Sequence, residues 1–320
     1  MTAQTKNFLI TTASVAVSTL IIAALLRAVD VRAVIHTIRA ARRETLIISC
    51  LISLGINIFL GTAKWKRIIA ALGCTVSFKE TLMIRSGCLP LKLILPLKTH
   101  EILKIAYLAR RKNISVARAA HSLVLDKALN LLTLAGIMLV GTIIAPLPMP
   151  KLIPFIALLG MAALIFFTRP YDILVRYVKC LLPRYTRHVE ELASGMREIP
   201  AKEKAILAGY SLVYQSSEFL NTYLLMTAVG CFVPFSQILV FIPFVMLAGA
   251  LPMTILGMGT REGLMIFLFA AYAPAATLMS AGILVSLVEH LLPVIFGLIF
   301  LFPFIRGLSS VTRTHKDKPQ

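Results

Sequence analysis

Residues 235–273, FSQILVFIPFVMLAGALPMTILGMGTREGLMIFLFAAYA, decide the fold. The stretch is apolar enough to enter a bilayer, yet Pro243, Pro252, Gly257 and Gly259 interrupt it, and Arg261 and Glu262 follow the break. Proline removes a backbone donor and kinks or ends a helix. Broken backbone at membrane depth persists only where it is buried in protein or lines a wet cavity. A re-entrant hairpin over 235–256, followed by a short helix over 263–273, meets that condition. Residues 81–99, broken by Pro90 and Pro96, repeat the pattern with a short helix expected over 102–109.

Around these two stretches, apolar segments run over 8–26, 45–63, 116–145, 152–168, 205–229 and 277–304. Each is long enough to cross a bilayer at about 20 residues per span. The 320 residues are 58% hydrophobic and 15% charged, with a mean hydropathy of +0.86, whereas soluble domains carry about 25% charged residues. The composition and segment lengths predict an all-α polytopic membrane protein of about six full spans plus two re-entrant hairpins, about eight hydrophobic segments in all. These form one integral membrane domain over 1–320. Arg27 stands where a small-residue cleavage site would follow a signal peptide, so 8–26 is expected to remain as the first transmembrane helix. Cys50, Cys74, Cys88, Cys180 and Cys231 are scattered singly and read as small apolar fillers.

Thirty-three basic residues stand against 14 acidic ones, for a net charge of +19. They punctuate apolar runs and form no single basic stripe, which favours anionic membrane lipids over nucleic acid as partner. By the positive-inside rule the basic loop 169–204 and the tail 305–320 are cytoplasmic. Charge alone does not orient the N-terminal third, where Arg27, Arg32, Arg39, Arg42 and Arg43 oppose Lys64, Lys66, Arg67 and Lys79. The stretch VRAVIHTIRAARR reads as an amphipathic surface helix. Trp65, with Lys64, Lys66 and Arg67, reads as an interfacial anchor.

The two hairpins share a layout of broken apolar segment, Glu (Glu101, Glu262), short helix, turn, and long helix with an acid–base pair inside it (Asp126 with Lys127, Glu289 with His290). Three spans separate them, an odd number that inverts the second copy. The expectation is an inverted internal repeat, the first copy over about 8–145 and the second over about 152–304, an architecture that places binding sites at broken helices near the midplane.

Glu101, Lys104, Asp126, Lys127, Glu218, Arg261, Glu262, Glu289 and His290 lie within apolar segments. A charge at a helix centre costs about 2.5–3.5 kcal/mol on insertion scales, so these side chains face one another or water. They line a polar cavity suited to phosphate, or Asp126 with Lys127 and Arg261 with Glu262 are structural ion pairs. Gln215, Glu218 and Asn221 share one helix face, either lining the cavity or forming an interhelical seam. Nucleotide-loop, dinucleotide, zinc-protease and serine-hydrolase motifs are lacking, and neither a catalytic residue, a metal nor a cofactor is expected.

The stretch LPMTILGMGTREGLMIFLFAAYAPAATLMSAGILVSLVEHLLPVIFGLI resembles the membrane region of lysyl-phosphatidylglycerol synthases and their stand-alone flippase-like relatives, through Gly257, Gly259, Arg261, Glu262 and Gly263. A second family feature is similar to Pro96, His100, Glu101 and Lys104, followed by Asp126, Lys127 and Asn130, with His100 in place of a glycine and Asn130 in place of an acid. The chain ends after its last span, so the aminoacyl-transferring domain and lysine transfer are not expected. The resemblance implies a flippase-like translocator of a phosphate-bearing lipid in the cell inner (cytoplasmic) membrane. Arg261, Lys104 and Lys98 would neutralise the phosphate, with Glu101, Glu262 and Glu218 as counterions or proton sites. The alternatives are a non-transporting accessory protein that recruits a lipid synthase or glycosyltransferase, and a membrane enzyme acting on a lipid phosphate.

Overall fold

The computed structural model describes residues 29–93, 99–112, 114–145, 152–166, 198–250 and 257–314, together with Thr19, Ile21, Ala23–Leu25, Arg27, Leu95 and Thr254. It is 85% helical, with no strand among the described residues. In chain order the helices are α1 (Val31–Arg39), α2 (Arg43–Ala71), α3 (Phe78–Gly87), α4 (His100–Lys112), α5 (Val116–Ile144), α6 (Leu152–Phe166), α7 (Ala201–Ala228), α8 (Phe235–Ala250), α9 (Thr260–Leu268) and α10 (Ala275–Leu308).

Helices α2, α5 and α10 are long and apolar enough to cross a membrane by length and composition. At 1.5 Å per residue the 28-residue α7 spans about 42 Å, more than a hydrocarbon core of about 30 Å, but it is more polar. The expected first span, 8–26, lies largely outside the described residues, as does most of the 169–204 loop.

Both expected breaks are present. The 10-residue α3 ends in a 3-10 turn, Pro90–Leu93, before the 13-residue α4. The 16-residue α8, with Pro243 inside it, gives way to a turn that leads into the 9-residue α9. Each of these four helices is shorter than the roughly 20 residues that one crossing needs. The helix expected over 263–273 stops at Leu268 because the chain turns there ahead of Pro274.

Helix α1 forms where its pattern predicts. Asp30 caps it, its carboxylate accepting from the amides of Arg32 at 2.9 Å and Ala33 at 3.3 Å. Its apolar face is divided: Val34 packs against Met279 of α10, while Val31 and Ile35 stay exposed. The helix thus lies against protein on one side and is exposed on the other.

Long helices α2 and α10 each contain a π-helical segment, Ser53–Leu60 and Ser286–Leu291. The Ser53 hydroxyl donates to the Val288 carbonyl at 2.7 Å, tying one widened turn to the other. Such segments are rare and recur at functional sites, and these two carry Asn57, Glu289 and His290.

Glycines bring the halves together. A Cβ on Gly87 of α3 would stand 2.7 Å from the Phe300 carbonyl of α10, and one on Gly297 of α10 would overlap the Ser86 carbonyl of α3. A Cβ on Gly141 of α5 would stand 2.7 Å from Leu239 Cβ of α8. Helix α3 therefore packs on α10, and α8 packs on α5. Small residues at such crossings are how membrane helices approach closely without a hydrophobic drive.

Candidate functional site

Two neighbours on α5 point to different partners. Asp126 pairs with Lys64 of α2 (Nζ to Oδ1 2.7 Å), and Lys127 pairs with Glu101 of α4 (Nζ to Oε1 2.9 Å). This corrects the adjacent Asp126–Lys127 pair expected from sequence: successive residues on a helix diverge by about 100°, so each acid and base takes a partner from another helix. Lys64 also donates to Asn130 Oδ1 at 2.6 Å, one turn beyond Asp126, and reaches Ser211 Oγ of α7 at 3.4 Å. Its side chain is 2% exposed. Trp65 beside it is 3% exposed, and Arg67 is paired with Glu203 of α7. The interfacial-anchor reading is thereby overturned for Lys64 and Trp65, because Lys64 is enclosed by α5 and α7 and Trp65 packs with Ile84, Leu108, Ala119 and Phe304.

Two further cations join this cluster. The Arg85 guanidinium of α3 lies 5.8 Å from the Tyr214 ring centroid, and Lys104 Nζ of α4 lies 5.9 Å from that of Trp65. Gly61 of α2 admits Arg85, since a Cβ there would overlap the guanidinium. Among the described residues neither Arg85 nor Lys104 has a carboxylate within ion-pair distance. The first cluster thus gathers Lys64, Arg85, Lys104 and Lys127 around only Glu101 and Asp126. Trp65 Nε1 and His100 Nδ1 are buried in the same region without a hydrogen-bond partner among the described residues. Lys127 remains 54% exposed.

The second cluster starts from the glycine turn. Gly257 and Gly259 have φ of 76° and 87°, a region glycine enters at little cost. Glu262 Oε2 accepts the Gly259 amide at 2.6 Å, and its Oε1 accepts the Ser286 hydroxyl at 2.6 Å. Both oxygens are engaged and the residue is buried. Glu262 and Gly259 thus close the N-terminus of α9, as a capping-box carboxylate does. Loss of these charge-assisted bonds, worth about 1.5–3 kcal/mol each before relaxation, is expected to cost Glu262→Ala about 2–3 kcal/mol, less in Glu262→Gln, in a thermal or denaturant melt in detergent.

Arg261 projects the other way, between Gly249 and Gly257. A Cβ on Gly249 would overlap its guanidinium, and one on Gly257 would stand 3.2 Å from its Cζ. Its charged neighbours are Glu289, Glu262 and Glu218. Glu289 Oε1 lies 3.4 Å from the Thr222 hydroxyl of α7, and Glu218 sits one turn before Thr222, beside Tyr214. Tyr214 also faces Arg85 and Asp126, which joins the two clusters across α7.

The structure therefore brings together Glu101, Lys104, Asp126 and Lys127 at the first hairpin, and Glu218, Gly257, Arg261 and Glu289 at the second. Lys98 lies outside the described residues. Sequence reading missed Lys64, Arg85, Trp65 and Tyr214 as site members, and named Asn130 only through the family resemblance. Arg85 carried a usable signal, a cation inside the apolar stretch 81–99. Asn57 of α2 meets Ser217 of α7 at 3.3 Å, and Gln215 is buried while Glu218 is partly so, so the polar face of α7 is turned into the bundle as its spacing predicts.

A helical bundle with spanning helices, two helix breaks and charges gathered between them defines an integral membrane protein with an internal polar site. The chain matches the family described as lysylphosphatidylglycerol synthase TM region over residues 11–297 and belongs to it. The comparison with curated proteins gave no match.

Proposed function

We propose that this protein is a flippase-like translocator that moves a phosphate-bearing lipid, a phospholipid or a polyprenyl-linked one, across the cytoplasmic membrane. The head group passes through the polar interior while the tails stay in the bilayer. The observation that carries this reading is the pair Arg85 and Lys104, which lie 5.8 and 5.9 Å from aromatic ring centroids and have no carboxylate within ion-pair distance among the described residues. A phosphate oxygen gives either cation a charge-assisted hydrogen bond, stronger than a ring contact. The unpartnered Trp65 Nε1–H adds a neutral donor. Arg261, which the sequence pairs with Lys104 and Lys98 as a phosphate ligand, is enclosed between Gly249 and Gly257, and the phosphate is assigned to Arg85 and Lys104.

The crossed packing of α3 on α10 and α8 on α5 supports an inverted repeat over about 8–145 and 152–304, with the polar interior between the copies. The basic loop 169–204 and the tail 305–320 are assigned to the cytoplasm by their charge, and the chain's own role is non-catalytic.

Sealed vesicles containing the purified protein and trace head-labelled phosphatidylglycerol or phosphatidylcholine test the proposal through the accessibility of the label to a membrane-impermeant quencher. The expected result is faster exchange of phosphatidylglycerol than of phosphatidylcholine. Arg85→Gln and Lys104→Gln should each slow it about tenfold or more, the equivalent of one hydrogen bond to a charged group. Unchanged rates in both folded variants would sink the assignment. A wild-type rate equal to that of protein-free vesicles would favour the accessory role.

A further inference from the structure

We infer that α1 and the start of α2 form a docking surface for anionic phospholipid head groups, on the leaflet opposite the one that the α4–α5 turn meets. Residues 31–43 hold four arginines, Arg32, Arg39, Arg42 and Arg43, and no acid. All four are exposed, and none has a carboxylate within ion-pair distance among the described residues. The two acids that flank them serve helix ends. Asp30 caps α1, and Glu44 stands in the first turn of α2, where the helix dipole favours a negative charge. The arginines are left as a positive surface that phosphate groups complement.

The apolar neighbours of the arginines set their depth. Successive residues of α1 turn by about 100°, which puts the exposed Val31 and Ile35 between the face that Val34 buries on Met279 and the edge that carries Arg32 and Arg39. Protein on one side, an exposed apolar strip beside it and arginines beyond is the pattern of a helix lying among lipid head groups. Helix α2 repeats the order along its axis. Arg42 and Arg43 come first, and the exposed Ile47, Ile48 and Leu51 follow, about 6–12 Å further along the helix from Arg43.

Backbone contacts fix the end of the bundle. The Arg42 amide donates to the carbonyl of Ala228, the last residue of α7, at 3.1 Å, and the Ser280 hydroxyl near the start of α10 lies 3.3 Å from the Val34 carbonyl. Near the other end of α10, Arg111 Nε donates to the Gly307 carbonyl at 3.2 Å. Ser280 and Gly307 are about 40 Å apart along α10, more than the roughly 30 Å of a hydrocarbon core. Helix α1 and the α4–α5 turn, with its exposed Arg110, Arg111 and Arg118, therefore meet opposite leaflets. The turns beside α1, 229–234 and 269–274, carry no charge. Arginines at that end work against the charge asymmetry that orients membrane helices, so orientation is not what they serve. With the basic loop and tail cytoplasmic, as proposed above, the leaflet is the outer one. Helix α1 also packs beside Ile266 of α9, so lipid held there stands next to the short helix that follows the glycine turn. Delivery of that lipid to the polar interior rests on the translocation reading above, whereas the surface does not.

Trp65 is the only tryptophan, so Ile35→Trp in a Trp65→Phe background gives a single reporter on α1. The full-length protein is placed in phosphatidylcholine vesicles holding a minor share of phosphatidylglycerol, with one lipid or the other brominated in its tails. Quenching at least about twofold stronger by brominated phosphatidylglycerol than by an equal share of brominated phosphatidylcholine is expected from the attraction of basic side chains for anionic lipid. The preference should fade in high salt and fall to parity when all four arginines are replaced by glutamine. Should that variant fold poorly, Arg32→Gln with Arg39→Gln should still lower it measurably. Ile295→Trp, at an exposed position in the middle of α10, should show none. Equal quenching by both lipids at 35, a preference that survives the arginine substitutions, or no quenching at all, the mark of water or a protein over α1, would each overturn the proposal. In cells, an impermeant thiol reagent added outside should label His36→Cys and not Arg110→Cys. Labelling of both overturns the opposite-leaflet placement; labelling of Arg110→Cys alone reverses the cytoplasmic assignment and keeps the surface. Delivery predicts phosphatidylglycerol exchange several-fold slower in the four-arginine variant, with phosphatidylcholine unchanged. Wild-type exchange with the preference lost removes delivery and keeps the surface.

Discussion

Replacing Lys64 by methionine is expected to destabilise the protein by about 3–5 kcal/mol, and replacing Asp126 as well, by leucine, is expected to restore most of that loss. Lys64 and Asp126 meet at 2.7 Å, with Lys64 almost wholly enclosed. Breaking such a pair from one side leaves an uncompensated charge in a low-dielectric interior, which costs about 3–5 kcal/mol, whereas replacing both partners by apolar groups is often nearly neutral. The same methionine also strips Asn130 Oδ1 of the donor it holds at 2.6 Å, a penalty that the double variant does not recover. Asp126 keeps 19% of its side chain exposed, which moves the expected cost toward the lower end of the range. A two-by-two cycle of thermal or denaturant melts in detergent measures the coupling. A Lys64→Met variant within 1 kcal/mol of wild type would show that water, and not Lys64, compensates Asp126.

The elements that sequence discloses are those whose cause is local. Helix α1 is written in Asp30 and in the three- and four-residue spacing of its apolar positions. The second helix break is written in Pro243, Gly257 and Gly259, which act on their own backbone. What stays hidden is partnership across the chain. Asp126 and Lys127 look like one pair because they are adjacent, yet their side chains diverge and find Lys64 and Glu101 on separate helices. Lys64 and Trp65 sit at the end of an apolar run, where burial and interfacial anchoring leave the same pattern, and only the helices that enclose them, α5 and α7 around Lys64 and α3, α4, α5 and α10 around Trp65, distinguish the two. Glu262 was within reach of sequence reading: the three-residue interval from Gly259 is that of a capping box, but a carboxylate after arginine at membrane depth draws attention first as a ligand. The π segments carry no signature in the composition of α2 or α10, since the extra residue per turn is fixed by what packs against them.

Replacing Gly249 by valine is expected to cost as much as removing Arg261 outright, about 3–5 kcal/mol, without touching any charge. A Cβ at 249 would occupy space held by the Arg261 guanidinium, and a Cβ on Gly257 would stand only 2.8 Å from Gly249 Cα and 3.2 Å from Arg261 Cζ. The guanidinium has glycine backbone on both sides, so a side chain at 249 displaces it. Displacement leaves Glu218, Glu262 and Glu289 with no guanidinium among them, the one-sided breaking of a buried ionic group that costs most. Because both changes remove the same interaction, Gly249→Val and Arg261→Ala should not add: the double variant should melt within about 0.5 kcal/mol of the worse single one, the scatter expected of independent measurements. Gly209 on α7 has no atom within 4 Å of the corresponding Cβ position, and Gly209→Val should stay within about 1 kcal/mol of wild type, where helix propensity alone operates. Additive losses at 249 and 261 would mean that Gly249 serves backbone packing and not the arginine. Gly61, which admits Arg85 in the same way, allows the experiment to be repeated at the first hairpin. There, on the translocation proposal, a glycine-to-valine change should lower phosphatidylglycerol exchange as Arg85→Gln does, since the cation it displaces has no carboxylate within ion-pair distance among the described residues.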